Sequence, residues 1–479
     1  MMQADVLIKT CLFTVLVTGY GFLLPFPAAA SMTDKISSTE NPEKISLNLD
    51  QLIGRALQAN RYLLQNALLV QSSQYSVQGA ESAFDWKVQP VANIGLSKSE
   101  STAEQATGLA GRISKKSSLG IEVALSPSVA YVNDGGTSSG VGVSLSVPLL
   151  RGFGKEYTYD AVYAADFSLA TNTRNVYLAE VETVLETVTL AYEILRQQEL
   201  VDLYSLQEKR LQGHVATAGI MEATELGTPI DTYRAQIRLK DVQDQLTVAQ
   251  EKYQATLDRL KVLLAFPVQT LLQIEAPLSY QPTTIQIKQA AAIALENRLE
   301  IEQSAADISE ALRKSRVAER GLLPDLSFVA TYRKNTFLEG LDSSELYYGD
   351  YWSVGLTSST DLARSEEKFA FQRSRLDVRR MRLQQQTRQD TILAEVKKEL
   401  TALEKEEQRI RLRREQIVQA RGKMRLSEIK FSHGMGDNFD LIESETELQR
   451  AKVDLLSEKT AYIVGQYRLR AALGTLIKR

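Results

Sequence analysis

Two stretches of this chain, 159–212 and 363–421, contain neither proline nor glycine. In the first, apolar residues recur at three- and four-residue steps (Val181, Val184, Val188, Ala191, Leu195), the spacing of one helical face. The second runs into a series spaced by seven: Leu403, Ile410, Ile417, Met424 and Phe431. At 1.5 Å per residue the two helices are roughly 80 and 90 Å long. A helix of that length cannot be buried in an ordinary globular domain, and it needs a partner face to be stable. The seven-residue repeat implies coiled-coil packing with a left-handed supercoil. Each long run is followed by a returning one, so two long antiparallel helical hairpins are expected, at about 156–266 and about 362–476.

The order of elements occurs twice. "LDQLIGRALQANRYLLQ", a helix, "FDWKVQPVANIGLS" and "VGVSLSVPLLRGFG" precede the first long helix. "IKQAAAIALENRLEIEQ", a helix, "GLLPDLSFVATYRK" and "YWSVGLTSSTDLARSEEKF" precede the second. Asn60-Arg61 falls against Asn297-Arg298, and the returning helices align without a gap, pairing Asp231 with Asp440, Tyr253 with Tyr462 and Arg259 with Arg468. The expected organisation is a first repeat at 47–280 and a second at 281–479. Strands are placed at about 88–147 and about 324–359.

Lys9 precedes the apolar run "CLFTVLVTGYGFLLPF" and the small-residue segment "PAAAS". This is the pattern of a secretory signal at 1–30, cut after Ala30, followed by a flexible segment at 31–46; a single membrane anchor is the competing reading. Cys11, the sole cysteine, lies inside the run, and only His214 and His433 represent histidine. A thiol- or imidazole-rich catalytic or zinc site is therefore nearly excluded. With 56 Lys+Arg against 59 Asp+Glu, the balance argues against nucleic acid as a partner. Beyond the N-terminus no stretch of about 18 uncharged apolar residues could span a bilayer as a helix. If the chain sits in a membrane, it must enter as strands closed into a barrel.

The strand-like segments alternate apolar with small or polar residues, as in Val141, Val143, Leu145 and Val147. That fits half-buried strands, and equally a barrel with lipid outside and water inside. Trp86 and the cluster Tyr347, Tyr348, Tyr351 and Trp352 are candidates for aromatics at a membrane interface, with a core cluster as the alternative. The polar stretch "KSESTAEQATGLAGRISKKSS" suits exposed connections, and whether 100–135 adds strands is open.

"FSHGMGDNFDLIESETELQR" at 431–450 breaks the second long helix at Gly434 and Gly436, residues that allow a tight helical hairpin. Asp440 and Glu443 lie three apart and face the same way on the helix that follows. They read either as helix-start acids, with Asp437 or Asn438 as cap, or as groups presented outward. A metal site on His433, Asp437 and Asp440 is a third reading, although an EF-hand run is missing.

In order and spacing of motifs, "ISLNLDQLIGRALQANRYLL", "SVPLLRGFG" and "GMGDNFDLIESETEL…RLRAALGTL", the mature chain resembles the outer membrane efflux protein family, the TolC-like channels. The resemblance implies an α+β membrane protein: a homotrimer with a twelve-stranded β-barrel, four strands per chain, continued by a long periplasmic α-helical barrel. It implies no enzymatic activity and no cofactor. It also implies outer-membrane lipid around the barrel, with a periplasmic adaptor (a membrane fusion protein) and an inner-membrane pump as partners. The chain would be the passive exit duct of a tripartite efflux or type I secretion system. By position it places acidic rings at the periplasmic constriction on Asp440 and Glu443, with Asp231 as the first-half counterpart. Adaptor docking falls on the hairpin tips, at Gly219-Ile220 and at Gly434-Met435-Gly436, with Gly219 set against Gly434. On that pairing the first tip is six residues longer than the second. The competing function is a secreted or periplasmic coiled-coil scaffold without a pore. As an enzyme the chain lacks a motif: "RGFGKEY" does not have P-loop spacing, and "GMGDNF" does not continue as a dinucleotide fingerprint.

Overall fold

The computed structural model describes residues 45–99, 102–132, 136–225, 227–338, 346–433 and 435–478. Within these, the side chains of 96–99, 102–106, 132, 337–338 and 346–348 are not described. The expected signal peptide, Cys11, most of 31–46 and Gly434 lie outside the described residues.

The chain begins with β1 (Ile45–Asn48), α1 (Leu49–Ala59) and α2 (Arg61–Glu81), then four strands: β2 (Lys87–Ser99), β3 (Thr102–Lys116), β4 (Glu122–Val132) and β5 (Gly136–Pro148). The short α3 (Lys155–Thr158) leads into the long pair α4 (Asp160–Ala223) and α5 (Pro229–Leu263), followed by β6 (Leu272–Glu275). The second round runs α6 (Ile287–Asn297), α7 (Leu299–Gly321), β7 (Leu326–Leu338), β8 (Leu346–Ser358), and the long pair α8 (Ser365–Ser432) and α9 (Asn438–Ala472).

The long helices exceed the expectation. At 1.5 Å per residue, the 64 residues of α4 and the 68 of α8 extend roughly 95 and 100 Å. The sequence reading stopped at glycine. The helices run on through Gly213, Gly219 and Gly422, because an isolated glycine costs a helix only about 1 kcal/mol and packing along the pair offsets it. The predicted seams are buried in part, with Val181, Leu195, Ile417, Met424 and Phe431 half-buried. Val184, Val188 and Ala191 lie inside on α4, and Leu403 and Ile410 on α8.

Two equivalent cores hold the start of each repeat against its returning helix. Leu52 and Ala56 of α1 pack with Ile194, Leu260 and Leu264, and Ala290 and Ala294 of α6 pack with Val396, Leu400 and Leu469. A third cluster joins the repeats, with Val184, Val188 and Tyr192 against Ile463 and Val464. At the α1–α2 joint Asn60 caps α2 through Tyr62 N–H (2.8 Å) while its amide donates to Leu263 O (3.0 Å). Arg298 fills the matching joint between α6 and α7 and donates to Ala472 O (3.3 Å). Asn60 thus corresponds to Arg298, one residue beyond the Asn297 pairing read from the sequence.

The sheet corrects the expected strand count. Among the described residues six strands, not four, form one antiparallel sheet in the order β2-β3-β4-β5-β7-β8. From sequence the polar stretch through 118 suits a connection and the rest of 100–135 stays open, because most of positions 102–116 and 122–132 are Gly, Ala, Ser, Thr or charged. In the sheet Gly108, Ala110, Arg112 and Ser114 fall on the face opposite Leu109 and Ile113. The β3–β4 turn is built by its side chains. Ser117 Oγ accepts from Leu119 N–H and Ile121 N–H, and Gly120 takes φ +91°, which only glycine adopts cheaply.

Candidate pore constriction and hairpin tips

Both helical pairs turn through loops of equal length, between Ala223 and Pro229 and between Ser432 and Asn438. The first tip is therefore not longer than the second, and Gly219 does not match Gly434. The turn glycine of the first tip is Gly227, whose N–H donates to Met221 O (3.0 Å), and a Cβ there would meet Met221 Cβ at 3.0 Å. Gly436 occupies the same place, with a Cβ meeting Lys430 Cβ at 3.0 Å. Gly219 and Ile220 lie inside α4 instead, Ile220 well exposed. Matching glycine to glycine breaks the alignment of the repeats at the tip. Continued without a gap it pairs Gly227 with Gly436, and the turn position Glu225 (φ +62°) with Gly434. Met435 is exposed.

The two helix starts use their acids differently. Thr228 caps α5 in a capping box with Asp231, whose Oδ2 accepts from Thr228 Oγ1 (2.6 Å). Arg234 Nη1 approaches the other Asp231 oxygen at 3.7 Å. That carboxylate is engaged in holding the helix start. On α9 the cap is Asp437, which accepts from Phe439 N–H (3.3 Å), leaving Asp440 exposed. Glu443 and Glu447 continue the exposed stripe one and two turns on. Lys423 of α8 binds both oxygens of Glu447 at 2.9 Å. The Lys423 pKa is raised, first by the Glu447 hydrogen bond; slight desolvation opposes it, and the charges of Glu447, Glu443 and Asp440 add to it. Lys423, as a neighbour of the acidic stripe, was not foreseen. The gapless alignment sets it opposite His214.

Glu445 points the other way and is buried. Its Oε2 lies 3.1 Å from His214 Nε2, and its Oε1 3.5 Å from Arg210 Nη1, so it ties the second repeat to α4. Burial, then the charges of Arg210 and Arg421, lower the pKa of the nearby Lys452, with Glu445 opposing. Arg234 also stacks over the Phe439 ring at 5.1 Å, joining the two tips. His433 turns its ring back to Ile429 O (2.8 Å). Among the described residues no group of three or more His, Cys, Asp or Glu is placed to hold a metal ion.

Of the expected interface aromatics, Trp86 is exposed at the start of β2 with Lys115 Nζ 5.3 Å from its ring centroid. Trp352 pairs across the sheet with Tyr332, while Tyr351 is opposite Arg333 and so belongs to the other face. The side chains of Tyr347 and Tyr348 lie outside the described residues. No helix among the described residues is long and apolar enough to cross a membrane.

Residues 291–475, the bulk of the second repeat, match the family model "Outer membrane efflux protein". No curated protein sequence matches the chain. Among solved structures, the CmeC outer membrane channel of Campylobacter jejuni is similar at 14% identity and TM-score 0.71, over 90% of this chain and 86% of that one. The outer membrane protein VceC of Vibrio cholerae is similar at 17% identity and TM-score 0.68, over 89% and 96%. The open state of the MtrE outer membrane channel of Neisseria gonorrhoeae is similar at 16% identity and TM-score 0.68, over 90% of each chain. The resemblance read from the sequence is borne out, and the similarity of fold extends over both repeats.

Proposed function

We propose that this protein is the outer-membrane channel of an efflux or type I secretion system, a homotrimer that passively conducts cargo supplied by an inner-membrane pump through a periplasmic adaptor. One observation carries the reading: a six-stranded sheet with one apolar face leads directly into helices roughly 100 Å long. The apolar face holds Val88, Ile94, Leu109, Leu125, Val129, Val143, Tyr332, Val354 and Leu356, brought together by the strand registers. Most are exposed, which suits lipid and not water. The helices also keep exposed apolar stripes, Leu64, Leu68 and Tyr75 on α2 and Phe369, Leu376 and Leu383 on α8, available for packing between copies.

At the periplasmic end, three copies of Asp440 and Glu443 would form stacked acidic rings that favour cations at the constriction. Asp231, held in its capping box, contributes less to that field. Exposed Met435, with Gly436 behind it, supports the second tip as the adaptor contact, and Ile220 offers an apolar side chain on the first. The family match and the channel structures support this reading over the poreless scaffold.

The test is fractionation of membranes from expressing cells, followed by planar-bilayer recording of the detergent-extracted protein. The expected outcome is protein in the outer-membrane fraction that forms discrete conducting steps. A soluble rod in the periplasmic fraction would return the scaffold reading.

A further inference from the structure

The extra hairpin β3–β4 sits between β2 and β5, within the sheet, and every neighbouring pair keeps a single antiparallel register, interrupted between β3 and β4 only at 111–112 and 126–127. It continues the apolar face through Leu109, Ile113, Leu125 and Val129, and the polar face through Gly108, Arg112, Ser114 and Ser128. Arg112 and Glu122 pair across it at 2.8 Å on the polar side. Its turn is seated on the loop that follows β5. Gly154 N–H donates to Leu119 O (3.1 Å), and a Cβ on Gly120 would come within 2.6 Å of Gly152 O. A loop lying loose over a four-stranded sheet would have neither the register nor the seat.

The outer strands β2 and β8 each have 13 residues and one unpaired edge. Because six strands alternate in direction, β2 and β8 run opposite ways. Unpaired backbone edges are not tolerated against lipid, where every N–H and C=O must be satisfied within protein. The β8 edge of a second copy fits the β2 edge of the first in length and sense.

We infer that three copies of this chain close an eighteen-stranded transmembrane barrel, β8 of each pairing with β2 of the next, in place of a twelve-stranded one. This rests on the trimeric channel reading above. Barrel diameter grows nearly linearly with strand number, so the exit is about one and a half times as wide as a twelve-stranded barrel. The perimeter fits the tunnel. Next to the sheet each copy supplies four helices, α2, α4, α7 and α8, and twelve helices spaced about 8–10 Å girdle about 95–120 Å. Eighteen strands about 4.8 Å apart, tilted about 40°, girdle about 110 Å, against about 75 Å for twelve. The wider barrel continues the tunnel without a taper. The conduit is then narrow only at its periplasmic tips, and the membrane end admits solutes of any size that the tips release.

The experiment is cryo-electron microscopy of the extracted full chain, with the variant lacking residues 102–132 as a second sample. The expected result is a threefold particle with twelve helices in cross-section below the membrane and eighteen strands within it. In the deletion variant the strand count falls to twelve and the barrel perimeter by about a third. A threefold, twelve-helix particle with twelve strands, the β3–β4 hairpin folded into the lumen or outside the wall, overturns the inference and leaves the channel reading intact. A deletion variant with an unchanged barrel section also overturns it. Particles without threefold symmetry or without a barrel overturn the channel reading itself.

Discussion

The two repeats diverge in opposite ways at their two ends. At the tips the backbone is conserved between them and the charges are not: the gapless register sets Asp231, Arg234 and Arg238 of the first repeat against Asp440, Glu443 and Glu447 of the second. In the sheet the alternation is kept and the backbone is not, with four strands in the first repeat and two in the second. An added hairpin widens the sheet without disturbing the helices, because it enters and leaves the sheet at the same end. A charge change at an exposed helix start alters the field at the tip without disturbing the turn. The difference teaches that one duplicated scaffold accepts changes of length where strands meet and changes of charge where helices turn.

The largest effect is expected where the strand difference depends on one residue. Gly120→Val combines a left-handed φ with a 2.6 Å approach to Gly152 O, a cost of about 3 kcal/mol. Thermal denaturation of the extracted protein should show a clear fall in Tm, whereas Gly355→Val in β8, where a Cβ meets nothing within 4 Å, should not. Equal losses would mean that the inserted hairpin is not seated as described. Next comes Glu445, whose first-repeat counterpart is Gln236. Glu445→Gln leaves Arg210, His214 and Lys452 without the carboxylate they surround, a loss of about 1–2 kcal/mol, limited because Arg210 stays half in solvent. The converse change, Gln236→Glu, falls on an exposed site and should be nearly neutral in the same melt. A smaller loss, about 1 kcal/mol, follows from Asp231→Asn, which weakens the α5 capping box.

The long helices and the repeat were legible because three- and seven-residue spacings report burial directly; Val188 and Ile410 are fully buried. The strands flanking each helix were legible from two-residue alternation. The inserted strands were not, because Gly108, Ala110, Arg112 and Ser114, on the face opposite Leu109 and Ile113, look like loop when no register is known. At the tips, glycine alone does not mark the turn. Helices tolerate a lone glycine such as Gly219, and the turn position it was matched with is filled in the first repeat by Glu225 at φ +62°. Asp440 and Glu443 were found from helical spacing. Lys423, 24 residues from Glu447 in sequence, could be found only from the packing of α8 on α9 or from its alignment with His214.

The sharpest test of the tip comparison changes stability least. Glu443→Arg gives the second tip the Asp–Arg spacing that Asp231 and Arg234 have in the first, where the two approach at 3.7 Å. Both positions are exposed, so stability should move by no more than about 0.5 kcal/mol. If the acidic stripe faces the conduit, the new arginine neutralises Asp440 and sets a cation in each ring position. The reversal potential under a salt gradient should then shift away from cation preference, and the shift should shrink at high salt, as screening over about 10 Å at 0.1 M requires. Asp231→Asn is the matched control, because its carboxylate is held by Thr228 at the helix start and selectivity should follow it less than Glu443. If selectivity moves with Asp231 and not with Glu443, the first repeat lines the constriction, and the charge difference between the tips serves docking instead of conduction.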